Sequence, residues 1–150
     1  MCVKRGETIA LVGGNRPRLY WSVMAAQVLG AIPVPVYADA VADELAYVLA
    51  HADVRFAAVE DQEQIDKILS VMARVPKLEL MVYDEKRGLR DYDHSRLRPM
   101  DDVIAEGRKA LADPLVADWL DKEIAAGKGS DPSIILYTSG TTGASKGVVL

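Results

Sequence analysis

The sequence predicts an α/β fold of repeated βαβ units around a largely parallel sheet. Short apolar, β-branched runs alternate with helical stripes of period 3.6, and Gly, Pro, Asn and Asp punctuate the joins. Composition agrees: 150 residues at 50% hydrophobic and 27% charged suffice for one domain with a real core and exclude disordered and collagen-like classes.

Thr8 to Val12 reads as the first strand, turned by Gly13, Gly14 and Asn15. Pro17 stands where a helix takes proline as its first residue. Leu19, Val23 and Ala26 form that helix's apolar stripe, and Gly30 is placed to end it with a left-handed residue. Ala31 to Tyr37 is a second strand, confined by Pro33 and Pro35 to an edge or a bulge because alternate donors are missing. Val41, Leu45, Val48 and Ala52 repeat as a second helical stripe. Phe56 to Val59 is a short buried strand. Asp61 caps a third helix with the stripe Ile65, Ile68, Leu69 and Met72, and Glu63 and Lys67 pair on its wet side.

Leu78 to Tyr83 is the next strand. From Asp84 to Asp102 charges of both signs dominate without periodicity, so the segment reads as a solvated excursion. Helices are expected over Asp101 to Leu111 and, after the Asp113-Pro114 cap pair, over Leu115 to Ala126 with Val116, Trp119, Leu120 and Ile124 inward. Gly127 to Pro132 releases a strand at Ser133 to Thr138, and Gly147 to Leu150 reads as another.

The formal net charge of -4 supplies no basic field, so nucleic acid is not an expected partner. A single cysteine, Cys2, cannot form an intrachain disulfide and agrees with a reducing compartment. The longest apolar stretch, Leu19 to Tyr37, is broken by Ser22, Gln27, Gly30, Pro33 and Pro35 and cannot make one spanning helix. No signal or transit segment is evident at the N-terminus, and the expected location is the cytoplasm.

The densest chemistry lies in Tyr137-Thr138-Ser139-Gly140-Thr141-Thr142-Gly143-Ala144-Ser145-Lys146-Gly147. Glycines at 140, 143 and 147 let the backbone approach an anion closely. Thr138, Ser139, Thr141, Thr142 and Ser145 add five hydroxyl donors, consecutive amides in such turns form anion-binding nests, and Lys146 supplies a mobile positive charge. A Walker A loop would also set a glycine six residues before its lysine, as Gly140 stands to Lys146. Here, however, Ser145 replaces its second glycine and Gly147 its magnesium-binding hydroxyl. The apolar sequel Val148-Val149-Leu150 makes the loop a join between two strands, so a helix dipole is not the anion's main partner.

Tyr137 to Val148 resembles the signature phosphate loop of the AMP-forming adenylation enzymes: acyl-CoA synthetases, peptide-synthetase adenylation domains and firefly luciferase. Gly13-Gly14-Asn15-Arg16-Pro17, Gly30-Ala31-Ile32-Pro33-Val34-Pro35-Val36-Tyr37 and Val59 to Lys67 are similar to the segments preceding that loop, especially in bacterial long-chain fatty-acid CoA ligases. The resemblance covers nearly the whole chain but a minority of the family's usual length. It implies that residues 1–150 are the partial N-terminal region of an AMP-binding domain, ending just after the phosphate loop. The remaining subdomains and the C-terminal domain would lie beyond Leu150.

The implied activity is that of an ATP-dependent acyl-CoA ligase. A fatty carboxylate, expected to be long-chain, attacks the α-phosphorus of ATP, expelling pyrophosphate, and the acyl-adenylate passes its acyl group to coenzyme A. Thr138, Ser139, Gly140, Thr141, Thr142, Gly143 and Lys146 would hold the ATP phosphates together with Mg²⁺, a matter of positioning and electrostatics. The resemblance assigns no catalytic residue and no metal ligand within the chain. It implies that these 150 residues alone make no acyl-adenylate, that their partner is the missing C-terminal portion, and that peripheral membrane contact is compatible with a lipid substrate. Another carboxylic acid, a carrier protein as acceptor, and a noncatalytic phosphate-binding module remain open.

Other residues carry plainer readings. Tyr20 and Trp21 are expected in a core or interface contact, His51 in capping a helix C-terminus, and His94 in solvent. Glu60, Asp61 and Glu63 coincide with a helix start, where the macrodipole favours them. A dinucleotide module would need Gly-x-Gly-x-x-Gly, and the residues after Gly13 lack both later glycines.

Overall fold

The computed structural model describes residues 3–138 and 145–150. Five parallel strands form the main sheet: β1 (Thr8–Val12), β2 (Ile32–Val36), β3 (Phe56–Val59), β4 (Leu80–Tyr83) and β5 (Leu97–Pro99), in the order β2-β1-β3-β4-β5. Among the described residues five α-helices accompany them: α1 (Pro17–Val28), α2 (Ala42–His51), α3 (Gln62–Ser70), α4 (Met100–Ala110) and α5 (Pro114–Ala125). Strands β6 (Ile135–Thr138) and β7 (Lys146–Val149) make a separate antiparallel pair.

Alternation along the strands sorts side chains to two faces. Ala10, Val12, Val34, Val36, Ala57, Val59, Met81 and Tyr83 meet Leu45, Val48 and Leu49 of α2 and Ile65 and Ile68 of α3 in the larger core. On the opposite face Ala58 and Val82 meet Leu19 of α1 and Met100 of α4. That side is less filled: α1 and α4 leave an apolar cleft of about 250 Å³ over Ile9, Phe56, Ala58 and Val82.

The caps act as the sequence predicts. Pro17 is the first residue of α1, and Gly30 takes a left-handed φ of 67° after its end. The Asp61 carboxylate accepts from the Gln64 amide at 3.2 Å, and the Asp113 carboxylate accepts from the Leu115 amide at 2.9 Å. Lys67 pairs with Glu63 at 2.9 Å. At the opposite end of the sheet, Arg55 joins the approaches to β1, β3 and β4 by donating to Glu79 at 2.8 and 3.0 Å and to Glu7. The guanidinium holds both carboxyls below the usual carboxylate range, for Glu7 as a secondary cause after the Lys4 amide.

The two prolines of β2 fall where the strand can bear them. Ile32 donates its amide to Glu7 of the β1 side, so residues 32, 34 and 36 face β1 while Pro33 and Pro35 face outward. The missing N–H groups therefore lie along the sheet's edge. β6 runs beside that edge without joining the sheet's ladder.

Three expectations are corrected. The charged excursion holds a fifth parallel strand, β5, hidden from a pattern search by its three-residue length and its sequence Leu-Arg-Pro. Leu89, in the same excursion, is fully buried. The apolar stripe of α5 is not inward: Trp119 and Ile124 are exposed, and no residue of the helix is buried. Tyr20 and Trp21 are both exposed, so neither belongs to the core. Among the described residues, no helix is long and apolar enough to cross a membrane.

Ile65 is 0% exposed at the centre of the larger core and Leu115 is 78% exposed. Ile65→Ala should lower unfolding free energy by about 2–5 kcal/mol, and Leu115→Ser by less than about 0.5 kcal/mol. Urea denaturation of both variants checks this, and equal losses would contradict the assignment of the core.

Candidate functional site

The hairpin register sets the geometry of the candidate phosphate site. Tyr137 lies opposite Gly147, and Thr138 lies opposite Lys146. Directly opposed residues of an antiparallel pair share a face, so the Thr138 hydroxyl and the Lys146 ammonium project to the same side of the hairpin neck, both exposed. Of the seven residues expected to hold phosphates, these two are brought together. The other five, Ser139, Gly140, Thr141, Thr142 and Gly143, lie outside the described residues.

Thr138 also opens onto a cleft of about 410 Å³ at the carboxyl ends of β1 and β2, whose lining includes Gly13, Asn15, Tyr20, Val36 and Tyr37. Ligands of open α/β sheets lie at the carboxyl ends of strands, so the hairpin stands at the chemically useful end of this one. Tyr20 donates its hydroxyl to Asn15 Oδ1 at 3.2 Å, giving the cleft a polar corner.

On the other face of the neck, Tyr137 packs against the larger core. Its hydroxyl lies 2.6 Å from His51 Nδ1, and Tyr47 stacks on His51 with ring centroids 5.4 Å apart. Burial, with the Tyr47 hydroxyl nearby, raises the Tyr137 phenol's pKa, so it stays protonated throughout the neutral range. His51 is the last residue of α2 rather than its cap, and its ring joins a strand 86 residues away. No local pattern signals that contact. The one available hint is the spacing of Tyr47 and His51, which puts two aromatic rings on one face of α2.

The strand order reverses between β1 and β3, the position where doubly wound sheets of this order take a ligand. Here the chain supplies its own anion. Glu60 Oε2 accepts from the Gly14 amide at 2.5 Å, and Glu60 Oε1 accepts from Arg16 Nε at 2.8 Å. The Gly14 amide first, then the Arg16 side chain, hold the Glu60 carboxyl below the usual carboxylate range. Beside it, Arg18 bridges Asp84 at 3.1 Å and Asp101 at 2.7 Å, and Lys86 pairs with Asp101 at 3.1 Å. These charged groups line a crevice whose acids and bases largely satisfy one another. The amide that would meet a pyrophosphate is thus occupied, which reinforces the exclusion of a dinucleotide module. Glu60 is therefore a clamp on the β1 turn, not a charge placed for the α3 dipole.

A doubly wound parallel sheet with an antiparallel hairpin at its carboxyl end, carrying a hydroxyl beside a lysine, defines an open α/β domain with a candidate anion site. More narrowly, this chain belongs to the AMP-binding enzyme family, whose profile matches residues 2–150. It is 28% identical over 149 residues to the long-chain-fatty-acid–CoA ligase ACSBG2 of Homo sapiens, covering 99% of this chain and 21% of that protein. Against the long-chain-fatty-acid–CoA ligase ACSBG1 of Rattus norvegicus, identity is 25% over 149 residues, covering 99% of this chain and 20% of the relative. The chain thus spans about a fifth of the length of these curated relatives.

Two solved structures share the fold. The anthranilate CoA ligase AuaEII, in complex with anthranoyl-AMP, superposes with a TM-score of 0.66 at 22% identity over 98% of this chain and 25% of its own. The A-PCP didomain of the carboxylic acid reductase from Segniliparus rugosus, in complex with AMP, gives 0.65 at 23% identity over 99% and 22%.

Because the folded-state pKa of Glu60 is depressed, its clamp contributes stability above the unfolded carboxylate value of about 4.3 and loses it as pH falls through the folded value. Its side chain is 15% exposed. Glu60→Gln should be less stable than the parent by about 1–3 kcal/mol at pH 7, a gap that narrows as pH falls below about 4.3 and on through the folded value. Urea midpoints measured across that range check it; a gap independent of pH would refute the ionised clamp.

Proposed function

We propose that residues 1–150 form the N-terminal part of the AMP-binding domain of a long-chain fatty-acid CoA ligase, with Thr138, Ser139, Gly140, Thr141, Thr142, Gly143 and Lys146 as its holder of ATP phosphates. The observation that carries the site is the pairing of Thr138 with Lys146 across the hairpin neck. A hydroxyl donor and a point charge on one face suit the β- and γ-phosphates of a nucleotide, and the glycines between them admit close backbone approach.

The whole protein would join a fatty acid to coenzyme A in two steps. The carboxylate oxygen forms a bond to the α-phosphorus of ATP while the bond to the β-phosphate bridging oxygen breaks, releasing pyrophosphate. The thiol of coenzyme A then attacks the acyl carbon and releases AMP. The contribution of this chain is to the first step, where Lys146 and the hydroxyls orient the leaving pyrophosphate and offset its charge. Mg²⁺ would supply further neutralisation of the phosphates. Among the described residues no group of three His, Cys, Asp or Glu could hold a metal ion.

The long-chain substrate is supported by the relatives, which are named for that acid. The two solved structures share too little sequence to favour an aromatic acid or a carrier-protein acceptor. A location in the cytoplasm, with peripheral contact to a membrane where the fatty acid resides, completes the reading.

Exchange of labelled pyrophosphate into ATP tests it. In the whole protein, exchange should depend on a long-chain fatty acid and should not be supported by anthranilate. Lys146→Ala should raise KM for ATP by about tenfold or more. The 150-residue chain alone should catalyse no exchange. Robust turnover by that chain would overturn the division of labour, and exchange driven by anthranilate alone would overturn the substrate.

A further inference from the structure

Tyr137 directly precedes Thr138, and its surroundings make it the point where the hairpin meets the sheet. β6 runs beside the outer edge of β2, where Pro33 and Pro35 offer no N–H to a neighbouring strand. Side chains make the connection instead. At the far end of β6, Gln27 Nε2 donates to the Ser133 carbonyl at 2.9 Å. At the neck, the Tyr137 hydroxyl meets His51 Nδ1 at 2.6 Å.

His51 stands on a fixed platform. The carbonyl of Ala52, the next residue, accepts from Thr8 Oγ1 of β1 at 2.6 Å. Asp53 then closes α2 in a left-handed conformation at φ 54°, its amide donating to the Ala50 carbonyl at 3.2 Å. Tyr47 stacks on the imidazole and meets the Tyr137 ring edge-on, at 6.4 Å and 88°. Across the neck, a Cβ on Gly147 would come within 3.2 Å of Tyr137 Cζ, so the ring covers the residue after Lys146. One ring therefore touches both arms of the hairpin, beside Thr138 on one and beside Lys146 on the other.

We propose that His51 is a positioning residue for the hairpin neck, holding Tyr137 by a hydrogen bond and so fixing the place at which Thr138 and Lys146 face a nucleotide's phosphates. This inference rests on the reading of the loop as the holder of ATP phosphates. His51 touches no substrate; it acts through the phenol, which couples the end of α2 to the start of the loop. Without the bond the ring can turn away from Gly147, and the two arms lose their common support.

The test compares His51→Ala, Tyr137→Phe, their combination, His51→Asn and Lys146→Ala in the whole protein. Asparagine places a polar atom near the position of Nδ1 and serves as the conservative replacement. The readouts are KM for ATP, KM for the fatty acid, the thermal midpoint, and the methyl resonance of Thr138 without nucleotide. His51→Ala and Tyr137→Phe should each raise KM for ATP by about three- to tenfold, leave KM for the acid unchanged, and shift the Thr138 methyl. The double variant should go no further than either single one, and His51→Asn should recover most of the loss.

The proposal is overturned if His51→Ala lowers the thermal midpoint but leaves the Thr138 methyl and KM for ATP unchanged while Lys146→Ala raises that KM. It is equally overturned if the two single effects multiply in the double variant. A Lys146→Ala variant with unchanged KM for ATP removes the phosphate reading alone. The Thr138 methyl then decides: a shift in His51→Ala reversed in His51→Asn upholds the positioning of the neck, and an unmoved signal ends it.

Discussion

The outer edge of β2 is the constraint on which the rest of the arrangement depends. A parallel strand directs alternate N–H groups to its two sides, and in β2 the side turned away from β1 carries Pro33 and Pro35. The five-stranded sheet stops there because a further strand finds no donors at those positions. β6 nevertheless runs alongside, and its attachment falls to side chains: the hydrogen bonds of Gln27 and His51, and the packing of Ile135 and Tyr137 on the larger core. Two consequences follow for the site. The hairpin has its own ladder, so its register is set by Tyr137 against Gly147 and Thr138 against Lys146, independently of the sheet. Its position against the sheet is set by side chains, and the nearest of these to the loop acts on the residue before Thr138.

The second constraint is at β1 and β3, where the strand order reverses. Sheets of this order commonly place an anion at that crevice, near the amides of the first turn. Here Glu60 fills the place, satisfied by the Gly14 amide and Arg16. A second carboxylate or phosphate at the same amide would meet a negative charge already fixed there. Arg18, Lys86, Asp84 and Asp101 continue the self-neutralised surface. The sheet's own switch point is thereby filled by the chain's own charges, and the hairpin stands apart from it, beside β2.

Much of this fold was legible because its signals are local. Asp61 and Asp113 cap the helices they precede, Pro17 opens α1, Gly30 ends it, and the stripes of α2 and α3 reach the core at Leu45, Val48 and Ala52 and at Ile65 and Ile68, whereas Val41 and Leu69 of the same stripes are exposed. Non-local features did not show. β5 is a strand because Met81, Val82 and Tyr83 pair with Leu97, Arg98 and Pro99, and three residues carry too little periodicity to announce themselves. The exposed Trp119 and Ile124 gave α5 a correct helical stripe, but a stripe identifies the apolar face and says nothing of what covers it. In the site, the residue types of the loop are the local signal behind the phosphate expectation, whereas the Glu60 clamp and the His51 contact join segments 46 and 86 residues apart. Glu60 looked like a helix-start acid because Asp61 and Glu63 beside it are in the first turn region of α3.

Magnitudes decide what kind of effect the His51 contact can have. A hydrogen bond of ordinary geometry contributes a net of about 0.5–1.5 kcal/mol, roughly a two- to tenfold change in an equilibrium. The cores of α2 and α3 are held by buried aliphatic side chains whose individual losses run to about 2–5 kcal/mol, so one such bond is a small part of the folded state. An isolated two-stranded hairpin, by contrast, is marginal in water, and β6 with β7 has no shared ladder with the sheet to support it. The same free energy is therefore minor for the fold and a larger share of what sets the neck's position, alongside Gln27 and the packing of Ile135 and Tyr137 on the core. That asymmetry is why the His51 contact weighs more on the hairpin neck than on the rest of the molecule.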